Sequence, residues 1–416
     1  MTTDASGALT LDDVQAARRR LEGHVHPTPS LPSAALGEIA GVPVYLKCEN
    51  LQRTGSFKIR GAHNMLAARA PQAVVAASAG NHAQGVALAA RERGIAATVV
   101  MPKTAPLAKQ RATRGYGAEV ILVQGGLAEA ITHARGLAAA HGWLFVPPFD
   151  APEVVAGQGT VGLEVLEQLP ECSTVLVPTG GGGLLAGIAL AVKSQRPDIR
   201  VVGVQSAAMP GLLTSRAARE PRTVERARTI ADGVAVAGPS ALTYGLVERY
   251  VDDLVEVAEG EIASAIVFLL ERARLVVEGA GALAVAALRG RIVTPRGPTV
   301  AIVSGGNIDV STLGRLVQRG LAVDGRQRRV TFAAANVPGE LALITATLAA
   351  ASANVIEVAH DLTPPELPVG VARLTFRIEV ADEDAYRALE GALFAAGFGR
   401  GVETDFRTPT AAASRF

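Results

Sequence analysis

The 416-residue chain carries 40 Lys+Arg against 39 Asp+Glu, a balance that leaves no electrostatic footprint for nucleic acid or for an acidic membrane surface. Two cysteines, Cys48 and Cys172, are too few for a disulfide framework, and neither has His or Cys neighbours at zinc-ligand spacing. Residues 1–7 lack the basic and apolar regions of a signal peptide, and no apolar run is long and charge-free enough to span a bilayer, so a soluble cytoplasmic protein of two or three domains is expected.

Thr10-Leu11-Asp12-Asp13 reads as a capping box opening a helix, with Leu11, Val14, Ala17 and Leu21 on one face, and Thr28-Pro29 then breaks the pattern. A strand over Val44–Lys47 leads into a polar turn and Lys58. The chain holds only Lys47, Lys58, Lys103, Lys109 and Lys193, so its amine nucleophiles can be weighed singly. Lys47 lies in the strand and Lys193 at the polar end of a helix. Lys103 and Lys109 flank Pro106 at a helix start, where a solvated face is the ordinary reading. Lys58 follows Thr54-Gly55-Ser56-Phe57, whose hydroxyls and backbone N–H groups suit a ligand, while Phe57 and Ile59 dry the surroundings. Partial desolvation lowers a lysine pKa from ~10.4, as a Schiff-base lysine requires. A lysine after a turn is by itself a surface lysine about four times in five.

Short apolar runs then alternate with helical ones. Ala73–Ala77, Ala97–Met101, Glu119–Val123 and Leu144–Val146 form one series of strands. Thr174–Val177, Val201–Gln205, Leu254–Val257 and Val300–Val303 form a second. This alternation predicts parallel sheets covered by helices, with a ligand in the cleft between two α/β units, at the carboxyl ends of their strands.

Three strand ends carry glycine-bearing turns. Ser78-Ala79-Gly80-Asn81-His82 opens a helix, so its N–H groups suit an anion such as a carboxylate; His82 alone is more often a structural histidine and receives no catalytic role. Gly180-Gly181-Gly182-Gly183-Leu184 fits a dinucleotide or a monophosphate. No acidic residue near the end of the next strand is placed for a ribose hydroxyl, which favours the monophosphate by roughly three to one. Ser304-Gly305-Gly306-Asn307 ends a buried strand, where a serine is ordinarily a satisfied core or turn group. Glu278-Gly279-Ala280-Gly281-Ala282 opens a further helix, its glycines read equally well as close packing.

Beyond Gly320 the pattern changes. Arg326-Gln327-Arg328-Arg329 reads as a polar linker, followed by a strand over Val330–Ala334, a helix over Gly339–Ala350, strands over Val355–Val358 and Val371–Ile378, and a helix over Ala385–Ala396. A short closing strand near Val402–Asp405 and a disordered tail from Thr408 to Phe416 complete the expectation.

Taken in order, SFKIRGA (from Ser56), SAGNHAQGVA (from Ser78), PTGGGGLLAG (from Pro178), EGAGALA (from Glu278) and VSGGN (from Val303) resemble the pyridoxal-phosphate enzymes of the tryptophan-synthase-β fold type. Within that group they most resemble the threonine/serine dehydratases, and the likeness runs from about Thr28 to Gly320. The resemblance implies a fold type II catalytic domain over residues 1–325, with a smaller α/β subdomain at about 50–150 and the pyridoxal phosphate in the cleft between two parallel-sheet subdomains. It implies that Lys58 anchors the cofactor and removes the substrate α-proton, with Phe57 beside it. Asn81 would contact the cofactor's ring hydroxyl, Gly180 through Leu184 its phosphate, and Ser304 its pyridine nitrogen. Ser56 and the run Ser78, Ala79, Gly80, Asn81 and His82 would receive the amino-acid substrate.

Ala79 departs from the related serine racemases, which carry a serine acid/base there; elimination is therefore expected over racemisation. The acidic cluster that binds a divalent cation in some relatives is replaced by Ser206-Ala207-Ala208-Met209, so no metal is expected there. Asn336-Val337-Pro338-Gly339-Glu340-Leu341 resembles the start of an ACT domain, placed at 326–407 with a ferredoxin-like α+β fold, which implies a branched-chain amino-acid effector. A homotetramer is implied by the family. The implied reaction converts L-threonine to 2-oxobutanoate and ammonia, and L-serine to pyruvate. A serine or 3-hydroxyaspartate dehydratase, a racemase and a non-catalytic amino-acid sensor are the alternatives.

Overall fold

The computed structural model describes residues 9–398. The closing strand expected near Val402–Asp405 and the tail from Thr408 lie outside the described residues. The chain divides into two compact units at Leu313 and Gly314.

The first unit holds strands β1 (Ser30–Pro32), β2 (Val44–Cys48), β3 (Ala73–Ala77), β4 (Ala96–Pro102), β5 (Glu119–Val123), β6 (Leu144–Phe145), β7 (Thr174–Pro178), β8 (Arg200–Ser206), β9 (Asp253–Val257) and β10 (Thr299–Val303). They form a six-stranded sheet in the order β1-β2-β10-β7-β8-β9 and a four-stranded sheet in the order β5-β4-β3-β6. Every pairing is parallel except β1 with β2. The two-subdomain α/β architecture expected from the alternating runs is present. All five residues of β7 and of β10 are buried, as continuous β-branched runs require when helices cover both faces of a sheet.

Register decides what these strands present. Thr299 of β10 lies level with Val44 of β2 and with Thr174 of β7. The three central strands therefore end at one edge, and the turns after Cys48, Pro178 and Val303 emerge side by side. In the smaller sheet Ser78 continues past β3, its N–H donating to the Val100 carbonyl at 3.2 Å.

Three helices stack closely behind that edge: Lys58–Arg69, Pro152–Gln168 and Gly183–Lys193. Glycine makes the approach possible. A Cβ on Gly157 would stand 2.6 Å from the Arg60 carbonyl oxygen, and one on Gly187 would strike the backbone of Val155 and Gly159. A buried ionic network ties the first two helices to β2. Arg60 is fully buried and donates through Nε and Nη2 to both oxygens of the buried Glu49, each at 2.8 Å. Its Nη1 donates to Glu164 at 2.6 Å, and Lys47 Nζ, also wholly buried, reaches Glu164 and the Thr28 carbonyl at 2.6 Å each. Burial alone would raise the Glu49 carboxyl pKa, but the Arg60 guanidinium outweighs it and holds the group below the usual range.

The second unit contains β11 (Gln327–Ala335), β12 (Asn354–Asp361) and β13 (Val371–Glu379), an antiparallel sheet in the order β11-β13-β12, with helices Glu340–Ala350 and Glu383–Ala395. The β-α-β-β-α order is the one the sequence suggests. Burial alternates strictly along β13, so one face packs Leu374, Phe376 and Ile378 against Ile344, Leu348 and Leu389 of the helices. The stretch Arg326–Arg329 is not a linker, because Gln327 to Arg329 already pair with β13. Arg328 points inward, its guanidinium 4.7 Å from the Tyr386 ring centroid and paired with Glu383, so a basic run conceals a strand start. The boundary expected at 325/326 falls inside this second unit, next to its first strand.

Removing Arg60 leaves the wholly buried Glu49 carboxylate without its guanidinium partner and Glu164 with Lys47 alone. Arg60→Met should lower the free energy of unfolding by about 3–5 kcal/mol, read as a fall in the urea midpoint; an unchanged midpoint would mean that the network contributes nothing.

Candidate active site

Lys58 is the first residue of the helix Lys58–Arg69, and the turn before it is strapped to the end of β10. Gly55 adopts φ +70°, in the left-handed region, and its carbonyl accepts from the Gly306 N–H at 2.9 Å. Ser56 pairs with Gly305 in an isolated bridge, and the Phe57 N–H donates to the Ser304 carbonyl at 3.2 Å. These contacts fix the backbone from which Lys58 projects. Its Nζ donates to the Pro148 carbonyl at 2.9 Å and lies 5.2 Å from the Phe57 ring centroid. Burial lowers its pKa to about 8, against the opposing pull of Glu278.

Lys58 borders a cavity of about 350 Å³ between the two sheets. Phe57, Ser78 through His82, Gly180 through Leu184 and Ser304 line the same cavity. Residues singled out in four separate stretches thus meet in one place. Ser56 is the exception: it is wholly buried, does not line the cavity and is held in the strap to Gly305. His82 is buried, with Nε2 donating to the Val146 carbonyl at 2.8 Å, and burial pushes its pKa down to about 3. It is a neutral structural group.

The glycine run is shaped by its neighbours as much as by its own freedom. Gly182 has φ +93° at the N-cap of the helix Gly183–Lys193, while a Cβ on Gly181 would collide with the Phe149 ring at 2.6 Å. The result is a side-chain-free concavity facing the first turn of a helix, where N–H groups lack intrahelical acceptors and attract an anion. Thr179 Oγ1, at the mouth of this loop, is buried without a hydrogen-bond partner. Across the cavity, the helix Asn81–Glu92 presents a second set of first-turn N–H groups after Ser78, whose Oγ accepts from the Gly80 N–H at 3.2 Å.

Two groups escaped the sequence reading. Glu278 was seen only as the head of a glycine-rich helix start. Its carboxylate is buried, accepts from Asn81 Nδ2 at 2.6 Å, and Asn81 Oδ1 accepts in turn from Asn307 Nδ2 at 2.8 Å. Burial, helped by Asp232, raises its pKa to about 7 despite Lys109, Asn81 and Lys58. The available signal was an acidic residue inside an otherwise apolar run, Leu275–Ala287. Lys109, read as part of a solvated face, lines the cavity and donates to Asp232 at 2.8 Å. Its partner lies too far along the chain for any local pattern to reveal it.

A family model described as pyridoxal-phosphate dependent enzyme matches residues 21–305, most of the chain and the whole of the cavity lining. The chain belongs to that family. An L-threonine ammonia-lyase from Thermotoga maritima is 46% identical over 395 residues, covering 94% of this chain and 98% of the relative. Among solved structures, a processed threonine deaminase isoform 2 from Solanum lycopersicum superposes with a TM-score of 0.71 at 36% identity, over 74% of this chain and 92% of that one. A maize serine racemase gives a TM-score of 0.71 at 34% identity, over 76% and 98%.

The site of this pyridoxal-phosphate dependent enzyme fits the cofactor. The glycine concavity leaves room where any side chain would intrude, the unpartnered Thr179 hydroxyl lies beside it, and Lys58 stands in the same cavity with no carboxylate bonded to its amine.

The Glu278 carboxyl sets a pH test on the cofactor-free chain. Its pKa rises from an ordinary 4.5 to about 7, so between those values the folded chain keeps a proton that the unfolded chain releases, and stability falls as pH rises through that window. Glu278→Gln removes the effect. Its unfolding free energy should gain on wild type by about 3 kcal/mol between pH 4 and pH 8, measured by urea titration; parallel pH curves for the two proteins would refute the assignment.

Proposed function

We propose that this chain is an L-threonine ammonia-lyase that also accepts L-serine. The observation carrying this reading is a lysine of lowered pKa lining a cavity flanked by two helix N-termini, one cleared by glycines for a phosphate and one suited to a substrate carboxylate. The cofactor, when bound, supplies an electron sink for the charge that develops at the substrate α-carbon. Gly180 through Leu184 would hold its phosphate, Asn81 its ring hydroxyl and Ser304 its pyridine nitrogen. The N–H groups from Ser78 to Asn81 hold the substrate carboxylate and so orient the α C–H bond towards Lys58. Lys58 Nζ, in its free-base form, takes the α-proton. The β-hydroxyl leaves with a proton as water, and the resulting enamine, once released, hydrolyses to 2-oxobutanoate and ammonia.

Ala79 supports elimination over racemisation. It lines the cavity and offers no proton donor, so nothing at that position can return a proton to the opposite face of the α-carbon. A serine racemase is among the structural neighbours, which makes the enantiomer of unreacted substrate the relevant control.

The second unit is assigned, as part of the same proposal, to an ACT-like regulatory module over residues 326–407 that binds a branched-chain amino acid. Its β-α-β-β-α order supports this, and the Thermotoga maritima relative aligns over enough of the chain to include most of that unit. A cytoplasmic homotetramer completes the reading. Among the described residues no helix is long and apolar enough to cross a membrane.

The test measures 2-oxobutanoate from L-threonine, and the configuration of the remaining substrate, for wild type and Lys58→Ala. Wild type should release the keto acid without D-threonine. The variant should lose the visible absorption of the lysine-bound cofactor and at least ~10²–10⁴-fold of its rate, the usual worth of a positioned proton-transfer group. Cofactor absorption without keto acid from threonine or serine would refute the substrate; rapid D-amino-acid formation would refute the role given to Ala79.

A further inference from the structure

Away from the cavity, three residues distant in sequence converge where the middle of the helix that begins at Lys58 meets the end of the helix that begins at Asn81. His63 lies on the helix Lys58–Arg69, Glu92 is the last residue of the helix Asn81–Glu92, and His24 sits in the turn after the helix Leu11–Leu21. His24 Nδ1 stands 3.3 Å and His63 Nδ1 3.8 Å from the same oxygen, Glu92 Oε2, and the ligand atoms of all three lie within 4.8 Å of one another. Four ligands in a tetrahedron at 2.0–2.1 Å from a zinc ion are about 3.3 Å apart. The cluster is already close to that spacing.

His63 supplies a second, independent sign. It is wholly buried, and neither of its ring nitrogens has a hydrogen-bond partner. A buried imidazole left without partners forfeits the hydrogen bonds it makes in water, a cost that a ligand would offset. The remaining carboxylate oxygen, Glu92 Oε1, pairs with Arg53, whose Nη1 also donates to the His24 carbonyl at 3.0 Å. Such an outer partner fixes the carboxylate and points Oε2 at the histidines, as metal-ligating carboxylates require. The two rings stack at 4.1 Å with an interplanar angle of 28°. Bringing both Nδ1 atoms onto one ion needs a rotation of His24, which at 39% side-chain exposure has room for it and leaves a side open for water.

We propose that His24, His63 and Glu92 form a site for a divalent transition-metal ion of the zinc class, with water as the fourth ligand. Imidazole and carboxylate donors suit Zn²⁺ and exclude a preference for the hard, all-oxygen ions Ca²⁺ and Mg²⁺. The ion joins the middle of the helix that begins at Lys58, the end of the helix that begins at Asn81 and the turn after the helix Leu11–Leu21. Its role is structural: it clamps the scaffold of the site and takes no part in the reaction. Sequence spacing hid it, because the ligands come from three separate elements with no local pattern.

The test uses the full-length, cofactor-loaded enzyme, freed of metal with a chelator and titrated with Zn²⁺ alone. One equivalent should bind per chain and raise Tm, by mass action on the folded state. Co²⁺ in its place should give the visible bands of a tetrahedral ion. His24→Phe keeps a ring stacked on His63 but removes the nitrogen, and should weaken Zn²⁺ binding at least ~10-fold and abolish the Tm rise while leaving keto-acid release unchanged without metal. Zn²⁺ binding that is equal in wild type and His24→Phe, or no saturable binding at all, would overturn the proposal and leave the histidines as a stacked pair.

Discussion

The position of Lys58 depends on Arg60, two residues further along the same helix. An arginine with no exposure is tolerable only where every charge it brings is answered, and here Glu49 and Glu164 take it from two sides. Glu49 follows the last residue of β2, and Glu164 belongs to the helix that packs across Arg60 at Gly157. The pairing therefore ties the end of a central strand, the start of the lysine helix and the helix behind them at one point. A buried ionic network of this kind adds little net stability over an apolar equivalent, but its directional bonds hold a register that apolar packing would leave looser.

The same edge explains how residues scattered over most of the chain assemble. Parallel strands in register end together, and each turn past the edge meets its neighbours: Ser56 with Gly305, Gly55 with Gly306, Asn307 with Thr54 and Asn81. Glycine is needed at the crowding points for two different reasons. At Gly55 and Gly182 the backbone takes a positive φ, whereas at Gly181 and Gly157 neighbouring atoms occupy the place of a side chain. These glycines are thus a record of steric contacts within this fold.

Much of this was legible in the sequence, because strand-to-helix turns write their requirements locally. β-branched runs announced the strands, Thr10 to Asp13 announced its helix, and the glycine run announced a turn that leaves no room for side chains. What stayed hidden was set by contacts between distant segments. Ser56 lies in the motif yet is buried off the cavity, paired with Gly305 in the turn after β10. Lys109 lacked any local sign of Asp232. Arg326–Arg329 looked like a linker because charge dominates composition, while the alternation that marks a strand appears only when the stem of Arg328 is counted as buried.

The electrostatics of the cavity follow from desolvation outweighing attraction. Lys58 and Glu278 favour each other's charged forms, yet burial moves both towards neutrality, the amine down to about 8 and the acid up to about 7. At pH 7.5 a lysine of pKa about 8 is roughly one quarter free base, where an unperturbed lysine would be only ~0.1% so. The gain is about two hundredfold in the fraction able to accept a proton, for a net shift worth about 3 kcal/mol in which desolvation outweighs the attraction of Glu278. A stronger base held fully charged would hold its proton and do nothing. The same burial that lowers the Lys58 pKa raises that of Glu278 to about 7, so the negative charge that favours the protonated lysine weakens only as pH falls through that value.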